Sequence, residues 1–409
     1  MVAVMPWLDY DNMNLVTGEL TTRDEYKQMM QEAAAAFRAV KPDIKLIGCI
    51  ESFPAQLSLD DAQTLVDRIP GSVKTGWVSI APELLDGLES LPPDRVACAL
   101  RDREGRVLVE SYRRAGFDGV SHAMVALVTY PTLENAQHAT LMEQARFLME
   151  ECGLDGLYID CFSFSYDGAG AILRYSDEGW DGRTCDIDPQ TGAVVLRYVD
   201  AGLAGADARA ALINYVLERG GVFVGNSYAS VKQTQSLGAF RFSESEYNFD
   251  PLAIGEGEKP PLFYRMTGSH LGSPIGLGYR PDRLGQAGTD SYARVMMKTI
   301  ITYLRHGALT YHYQTEIPET GPGAGEYGPF NHMFPMTIER IGEGFVEGRE
   351  RVVTAVSGTF HRAGERRPEV LMFDVTGRAI APRADVKQVA GGWDVELALQ
   401  DWENVAVIE

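Results

Sequence analysis

Short apolar runs rich in β-branched or aromatic residues alternate along most of this chain with longer segments of helical spacing. This alternation is typical of βα units, in which crossover helices join parallel strands. The candidate strands are 2–7, 44–50, 124–130, 157–162, 222–226, 239–243, 274–279 and 309–313, and the candidate helices are 23–40, 59–68, 133–152, 206–219, 231–237 and 291–306. Eight strands over about 340 residues predict an α/β fold, a (β/α)8 TIM barrel at 1–345.

A doubly wound open sheet is the competing topology. It usually carries a glycine-rich phosphate-binding turn after its first strand. Here the first strand is followed by Trp7, Leu8, Asp9 and Tyr10, which do not form such a turn. The sequence therefore favours the barrel.

The last part of the chain has a different period. From about Arg351 to Glu409, apolar and polar residues alternate at period two, which predicts a small C-terminal antiparallel domain, β-sandwich-like, at 346–409. The residues at 334–348 are expected to be helical. Turn sequences that start with Asp and end with Gly predict hairpins at 102–105, 188–192 and 374–377.

The chain is strongly acidic. It has 37 Lys and Arg against 57 Asp and Glu, a formal net charge of −20. Such a surface repels phosphate backbones and anionic lipids, so neither nucleic acid nor a membrane is an expected partner. The N-terminus lacks a basic segment followed by an apolar run, so no signal peptide is recognised. A full-length chain is expected in the cytoplasm, and a chain missing an upstream segment could be secreted or periplasmic. The oligomeric state stays open.

Cysteine and histidine are sparse. The five cysteines include no Cys-x-x-Cys pair, and the seven histidines include no His-x-x-x-His or His-Glu-x-x-His pattern. These spacings support neither a disulfide framework nor a zinc site. We therefore expect no metal and no cofactor.

Aromatic and polar residues cluster where the predicted strands end, and in a TIM barrel the active site is built from the carboxyl ends of the strands. Flat aromatic faces stack on sugar rings, and paired acids can cleave a glycosidic bond. The sequence thus predicts a site for an oligosaccharide or polysaccharide. Its candidate substrate-binding residues are Trp7, Asp9, Glu51, Tyr130, Asn226, Tyr228, Tyr311 and His312.

Asp160 is the sharpest catalytic candidate, because it directly follows the apolar strand residues Leu157, Tyr158 and Ile159. An acid in that position is costly to bury without a partner or a ligand. An equally good alternative is a loop cap or an ion pair with an arginine. Asp155 precedes the same strand, and we expect it to be a turn or cap residue at the opposite end.

Glu244 and Glu246 are the candidates for the second acid. Because side chains two positions apart lie on the same face of a strand, Glu244 and Glu246 are expected on the same face as Phe242. We favour Glu244 because it lies nearer the strand, with Glu246 as second choice. For Glu51, a structural ion pair is as good an interpretation as a substrate contact. His312 is also explained by a hydrogen-bonded, half-buried histidine.

The motifs Gly156-Leu-Tyr-Ile-Asp160 and Arg241-Phe-Ser-Glu244 together resemble the barrel glycoside hydrolases of the melibiase and endo-α-N-acetylgalactosaminidase group. The segment from Asn331 to Thr354 also resembles the junction between barrel and β-domain in that group. The resemblance implies a retaining glycosidase in which Asp160 is the nucleophile and Glu244 the acid/base. An inverting enzyme that uses the same carboxylates and a non-catalytic carbohydrate-binding barrel are the alternatives.

Overall fold

The computed structural model describes residues 2–8, 21–69, 76–115, 121–162, 173–175, 180, 182–226, 231–244, 251–258, 273–277, 290–307, 309–311, 332–333 and 336–409. The chain divides into two compact units, Val2–Phe240 and Arg241–Glu409.

The first unit contains strands and helices in alternation. Its strands are β1 Val2–Trp7, β2 Lys45–Glu51, β3 Pro54–Gln56, β4 Gly76–Ile80, β5 Val107–Ala115, β6 Ser121–Val128, β7 Gly156–Asp160, β8 Leu173–Tyr175, β9 Cys185–Ile187, β10 Val194–Asp200 and β11 Val222–Asn226. Its helices are α1 Arg23–Val40, α2 Leu59–Arg68, α3 Pro93–Ala97, α4 Ala136–Arg146, α5 Ala201–Ala204, α6 Ala206–Leu217 and α7 Lys232–Gln235, with a π-helical turn at Phe147–Glu151 after α4.

A parallel sheet with the strand order β1-β2-β7-β11 forms the centre of this unit. Helix α1 begins at a capping box, in which the Thr22 side chain and Glu25 satisfy each other's backbone N–H groups. Its buried residues Tyr26, Met30 and Ala34 are four apart, so they form one apolar stripe. This stripe shares a buried cluster with residues of α4, α6 and the sheet. The predicted βα units are confirmed here.

One predicted barrel strand does not pair with the strands expected of it. The residues at 124–128 do form a strand, but β6 pairs antiparallel with β5 and β3 in a separate sheet of order β3-β6-β5-β4. In the parallel sheet β2 pairs directly with β7, so no third strand lies between them. The physical reason is a local one. Strand β4, which was not among the predicted strands, pairs antiparallel with β5, the strand that follows the predicted turn at 102–105. Both strands bury a separate core with α2.

The second unit begins with shorter parallel elements and ends in antiparallel sheets. Its strands are β12 Phe240–Glu244, β13 Ser273–Leu277, β14 Leu309–Tyr311, β15 Ile338–Gly342, β16 Phe345–Gly348, β17 Val352–Thr354, β18 Gly358–Ala363, β19 Val370–Phe373, β20 Ala379–Ile380, β21 Ala384–Val389, β22 Gly392–Leu397 and β23 Val405–Ile408. Helix α8, Asp290–Arg305, precedes β14, which pairs parallel with β13. Closure of the parallel strands into a barrel stays a prediction.

The C-terminal antiparallel region is confirmed. A sheet of order β15-β16-β17-β23-β19-β20 and a sheet of order β18-β22-β21 share a buried cluster that includes Val352, Phe360, Val395 and Ile408. The helix expected at 334–348 is wrong, since β15 and β16 form an antiparallel hairpin there. Val346 and the neighbouring strands bury apolar side chains with α8, and this packing outweighs the helical spacing of that segment. The domain boundary at 345/346 stays a prediction.

Candidate active site at the carboxyl ends of the parallel strands

Three polar side chains stand at the carboxyl ends of three neighbouring parallel strands. Glu51 ends β2, Asp160 ends β7 and Asn226 ends β11. Glu51 and Asp160 are direct partners in the register, and Gly225 beside Ile159 puts Asn226 next to Asp160 on the other side. Adjacent strands are about 4.8 Å apart, so the three groups form one short row. The structure thus brings together three residues that the sequence singled out separately.

The row lies on the sheet face opposite the helices. Ile50, Ile159 and Phe223 belong to the core cluster that the sheet shares with α1, α4 and α6. Successive side chains on a strand point to opposite faces, so Glu51, Asp160 and Asn226 are directed to the other face. In a barrel this face is the interior.

Hydrogen bonds hold the Asp160 carboxylate from two sides. Its Oδ1 accepts one hydrogen bond from Asn226 Nδ2 and another, 3.0 Å long, from its neighbour's backbone at Cys161 N. Both donors are uncharged, and hydrogen bonds to an ionised acceptor are stronger than those between neutral groups. Asn226 is 8% exposed and Asp160 is half-buried. The arrangement suits an oriented, ionised carboxylate.

The backbone turns sharply directly after Asp160. Cys161 has a φ of 48°, the only positive value at a non-glycine residue in the described part of the chain. This left-handed conformation costs an ordinary residue of order 1–3 kcal/mol and tends to occur at functional sites. Phe162 then returns to the core, where its backbone N–H donates to Asn226 O at 2.9 Å.

Two residues around this turn were missed in the sequence. Ser52, directly after Glu51, donates from Oγ to Cys161 O at 2.6 Å, and Arg209 of α6 donates from Nε to Phe162 O at 2.7 Å. The signal for Arg209 was a basic residue among the mostly apolar residues of its helix. For Ser52 the only signal was its position beside a strand-end acid.

Asp155 is the turn residue that the sequence predicted. It precedes β7, and its Oδ2 accepts hydrogen bonds from Leu46 N at 3.0 Å and from Arg38 at 2.8 Å. Lys45 Nζ lies 3.4 Å from Oδ1. Burial raises the pKa of this carboxyl, but the Leu46 N–H, Arg38 and Lys45 together lower it below its ordinary value. Asp155 therefore fastens the amino ends of β2 and β7, opposite the site.

The other predicted site residues fall into three groups: residues at strand ends, one residue in a different position, and residues outside the described part of the chain. Trp7, Glu244 and Tyr311 are the last residues of β1, β12 and β14, as expected of strand ends. Tyr130 follows the antiparallel strand β6 and is 5% exposed, in a cluster with Phe53 and Val128. Its expected place at the end of a parallel strand is therefore wrong. Asp9, Tyr228, Glu246 and His312 lie outside the described residues.

The described residues hold no group of three or more His, Cys, Asp and Glu side chains arranged to bind a metal ion. Within the same residues, no helix has the length and the apolar character needed to cross a membrane.

Comparisons with known proteins give only distant likenesses. No protein-family model matches the sequence, and no curated protein matches it either. Among solved structures, a maltogenic α-amylase from Thermotoga neapolitana is 11% identical with a TM-score of 0.38, over 95% of this chain and 82% of that one. An α-amylase from Malbranchea cinnamomea is 10% identical with a TM-score of 0.39, over 95% and 78%. A GH31 dextranase from Flavobacterium johnsoniae is 10% identical with a TM-score of 0.38, over 100% and 47%. At these scores the shared geometry assigns neither a common fold nor a common activity.

Proposed function

We propose that this chain is a glycoside hydrolase whose nucleophile is Asp160. The observation that carries the proposal is the position of this carboxylate. It ends a parallel strand that has neighbours on both sides, faces away from the helices, and accepts hydrogen bonds from Asn226 and the Cys161 N–H. Glycosidases need such an oriented carboxylate at the anomeric carbon and a second acid at the leaving oxygen.

In the proposed retaining mechanism, an Asp160 oxygen attacks the anomeric carbon and the bond from that carbon to the leaving oxygen breaks. Glu244 gives its proton to the leaving oxygen. In the second step Glu244 takes a proton from water, whose oxygen attacks the same carbon and releases Asp160. Glu244 is assigned this role as the last residue of β12, with Glu246 as second choice.

Asn226 and Glu51 complete the proposed site. The Asn226 amide holds Asp160 by one oxygen, which restricts rotation of the carboxylate. Glu51, half-buried beside Asp160 in the register, is placed to accept hydrogen bonds from sugar hydroxyls. The substrate is then an oligosaccharide or polysaccharide. Trp7, Tyr228, Tyr311 and His312 stay candidates for its further contacts.

The test measures turnover of a panel of 4-nitrophenyl α- and β-glycosides by the wild type and by Asp160→Asn. The substitution keeps the shape of the side chain and removes the nucleophile, so we expect kcat to fall by more than about a thousandfold. Asp67→Asn, an exposed position on α2, is the matched control and should keep wild-type turnover. Proton NMR of the first-formed anomer then separates retention from inversion.

The alternative is a non-catalytic carbohydrate-binding protein. In that case no glycoside is hydrolysed, calorimetric titration with oligosaccharides shows binding, and Asp160→Asn weakens this binding only modestly. Equal turnover by the wild type and Asp160→Asn would refute the role of Asp160.

A further inference from the structure

The three residues of the turn that begins at Asp160 are each held by a hydrogen bond to the backbone carbonyl. Asp160 O accepts from Ser52 N at 3.2 Å, Cys161 O from Ser52 Oγ at 2.6 Å, and Phe162 O from Arg209 Nε at 2.7 Å. The donor Ser52 follows the end of β2 and the donor Arg209 belongs to α6. Two separate elements therefore hydrogen-bond to the same three residues.

Ser52 and Arg209 are both buried, and each makes further hydrogen bonds that fix its own position. Ser52 is 1% exposed, and its carbonyl accepts a hydrogen bond of 3.0 Å from Gln137 Nε2 of α4. Arg209 is 2% exposed, and its Nη1 donates to Ala201 O at 2.9 Å and to Gly202 O at 3.3 Å. Burial lowers the pKa of Arg209 to about 10, so the guanidinium stays charged at neutral pH.

An arginine is expensive to bury, and here its hydrogen bonds go to backbone carbonyls, while the charge of the Asp200 carboxylate also stabilises the guanidinium. Its Nη2 has no hydrogen-bond partner among the residues that the structure describes. Cys161 adds a second cost, because its left-handed backbone conformation is unfavourable for a residue with a side chain. Cys161 directly follows Asp160, and the buried Arg209 guanidinium donates to the carbonyl of Phe162, two residues after Asp160. The hydrogen bonds around the turn must therefore stabilise it in this conformation.

We propose that Ser52 and Arg209 are positioning residues, which hold the Asp160 carboxylate in place by clamping the turn Asp160–Phe162. The inference rests on the proposed function for its catalytic consequence, while the clamp is a property of the fold. Neither residue touches the substrate. Each acts through the backbone that carries the nucleophile, and small displacements of a reacting group cost large factors in rate.

Ser52→Ala tests the clamp, with Thr129→Val as its matched control. The Thr129 hydroxyl is also buried and donates to a backbone carbonyl at 2.6 Å, but that carbonyl belongs to Phe53 and not to the turn. Each variant thus loses one buried hydrogen bond of the same length in the same region. We measure kcat and KM, the thermal midpoint, and amide hydrogen exchange of the peptide that contains Cys161 and Phe162.

The proposal expects both variants to lose a few degrees of thermal midpoint, because each loses one buried hydrogen bond. Only Ser52→Ala should lower kcat, by about tenfold, while its KM stays within about twofold of the wild-type value. Only this variant should also show faster amide hydrogen exchange at Cys161 and Phe162. Equal kcat and equal exchange in the two variants would overturn it. An unchanged kcat in a folded Arg209→Lys variant, which keeps the charge but not the guanidinium fork, would remove Arg209 from the clamp.

Failure of the proposed function is a separate result. If the wild type hydrolyses no glycoside, turnover says nothing about the turn, and hydrogen exchange alone decides. Faster exchange at Cys161 and Phe162 in Ser52→Ala than in Thr129→Val then supports the clamp, and equal exchange refutes it.

Discussion

Asp155 lets the stability of the parallel sheet be tested independently of any activity. Its carboxylate accepts the backbone N–H of Leu46, which is fully buried, and ion pairs with Arg38 and Lys45. The backbone of Asp155 also bonds to both neighbouring strands. Asp155 N donates to Leu46 O of β2, and Asp155 O accepts from Val222 N of β11. Asp155→Ala keeps these backbone bonds and removes only the contribution of the side chain.

The magnitude follows from the three contacts. A hydrogen bond from a buried N–H to an ionised carboxylate contributes about 1.5–3 kcal/mol, and its loss leaves the Leu46 N–H without that acceptor. The ion pairs add little, because the side chains of Arg38 and Lys45 are 36% and 49% exposed and such pairs contribute about 0–1 kcal/mol each. We therefore expect Asp155→Ala to lower the free energy of unfolding by about 3 kcal/mol.

The pH dependence has a definite sign. The folded-state pKa of Asp155 lies below its ordinary value of 3.8, so the fold binds the ionised form more tightly than the protonated form. The stabilisation by this charge is complete above the unfolded value and disappears as the pH falls through the folded value. The stability difference between the wild type and Asp155→Asn should therefore be constant from pH 7 to about 5 and shrink below about pH 4.

Urea denaturation followed by circular dichroism measures both effects. The matched control is Asp43→Ala, which removes an exposed carboxylate that pairs with Lys41, and it should unfold at the wild-type urea midpoint. An Asp155→Ala midpoint equal to that of Asp43→Ala would refute the assigned anchoring role. A difference between the wild type and Asp155→Asn that stays constant down to pH 2.5 would refute the pKa argument.

Two further predictions concern the backbone at the two ends of β7. Gly156→Ala should destabilise the protein by more than about 3 kcal/mol in the same urea assay, because a Cβ there would lie 1.9 Å from Val222 O of the paired strand. Wild-type stability of that variant would show that β11 does not approach so closely. Cys161→Val should cost about 2 kcal/mol or more, since a β-branched side chain resists a φ of 48°, whereas Cys161→Gly should stay within about 1 kcal/mol of the wild type. Equal stability of these two variants would contradict a left-handed conformation at this residue.

Much of the fold could be read from periodicity. The predicted helices at 23–40 and 59–68 and the strands at 2–7 and 222–226 agree with the structure to the residue. These segments have one apolar face or one buried run with clear end signals, such as the Thr22 capping box. The segment at 334–348 misled the prediction because its helical spacing competes with hairpin pairing that only the C-terminal strands make visible.

The position of the candidate site could also be predicted in part. Asp160, Glu51 and Asn226 were recognised because each polar residue directly follows an apolar strand, and parallel strands bring their carboxyl ends to one edge. The same argument gave a wrong position for Tyr130, because the sequence does not distinguish a strand of the parallel sheet from one that pairs antiparallel elsewhere.

The sequence alone determined several helices and strands, such as α1, α2, β1 and β11, and several polar residues at strand ends, namely Glu51, Asp160 and Asn226. Those properties are recorded locally in the spacing of apolar residues along the chain. Only the tertiary structure decided that β2 and β11 flank β7, that Asn226 holds Asp160, and that Ser52 and Arg209 grip the turn behind it. These contacts join residues 47 to 109 positions apart, and such pairing depends on how whole elements pack rather than on any local pattern.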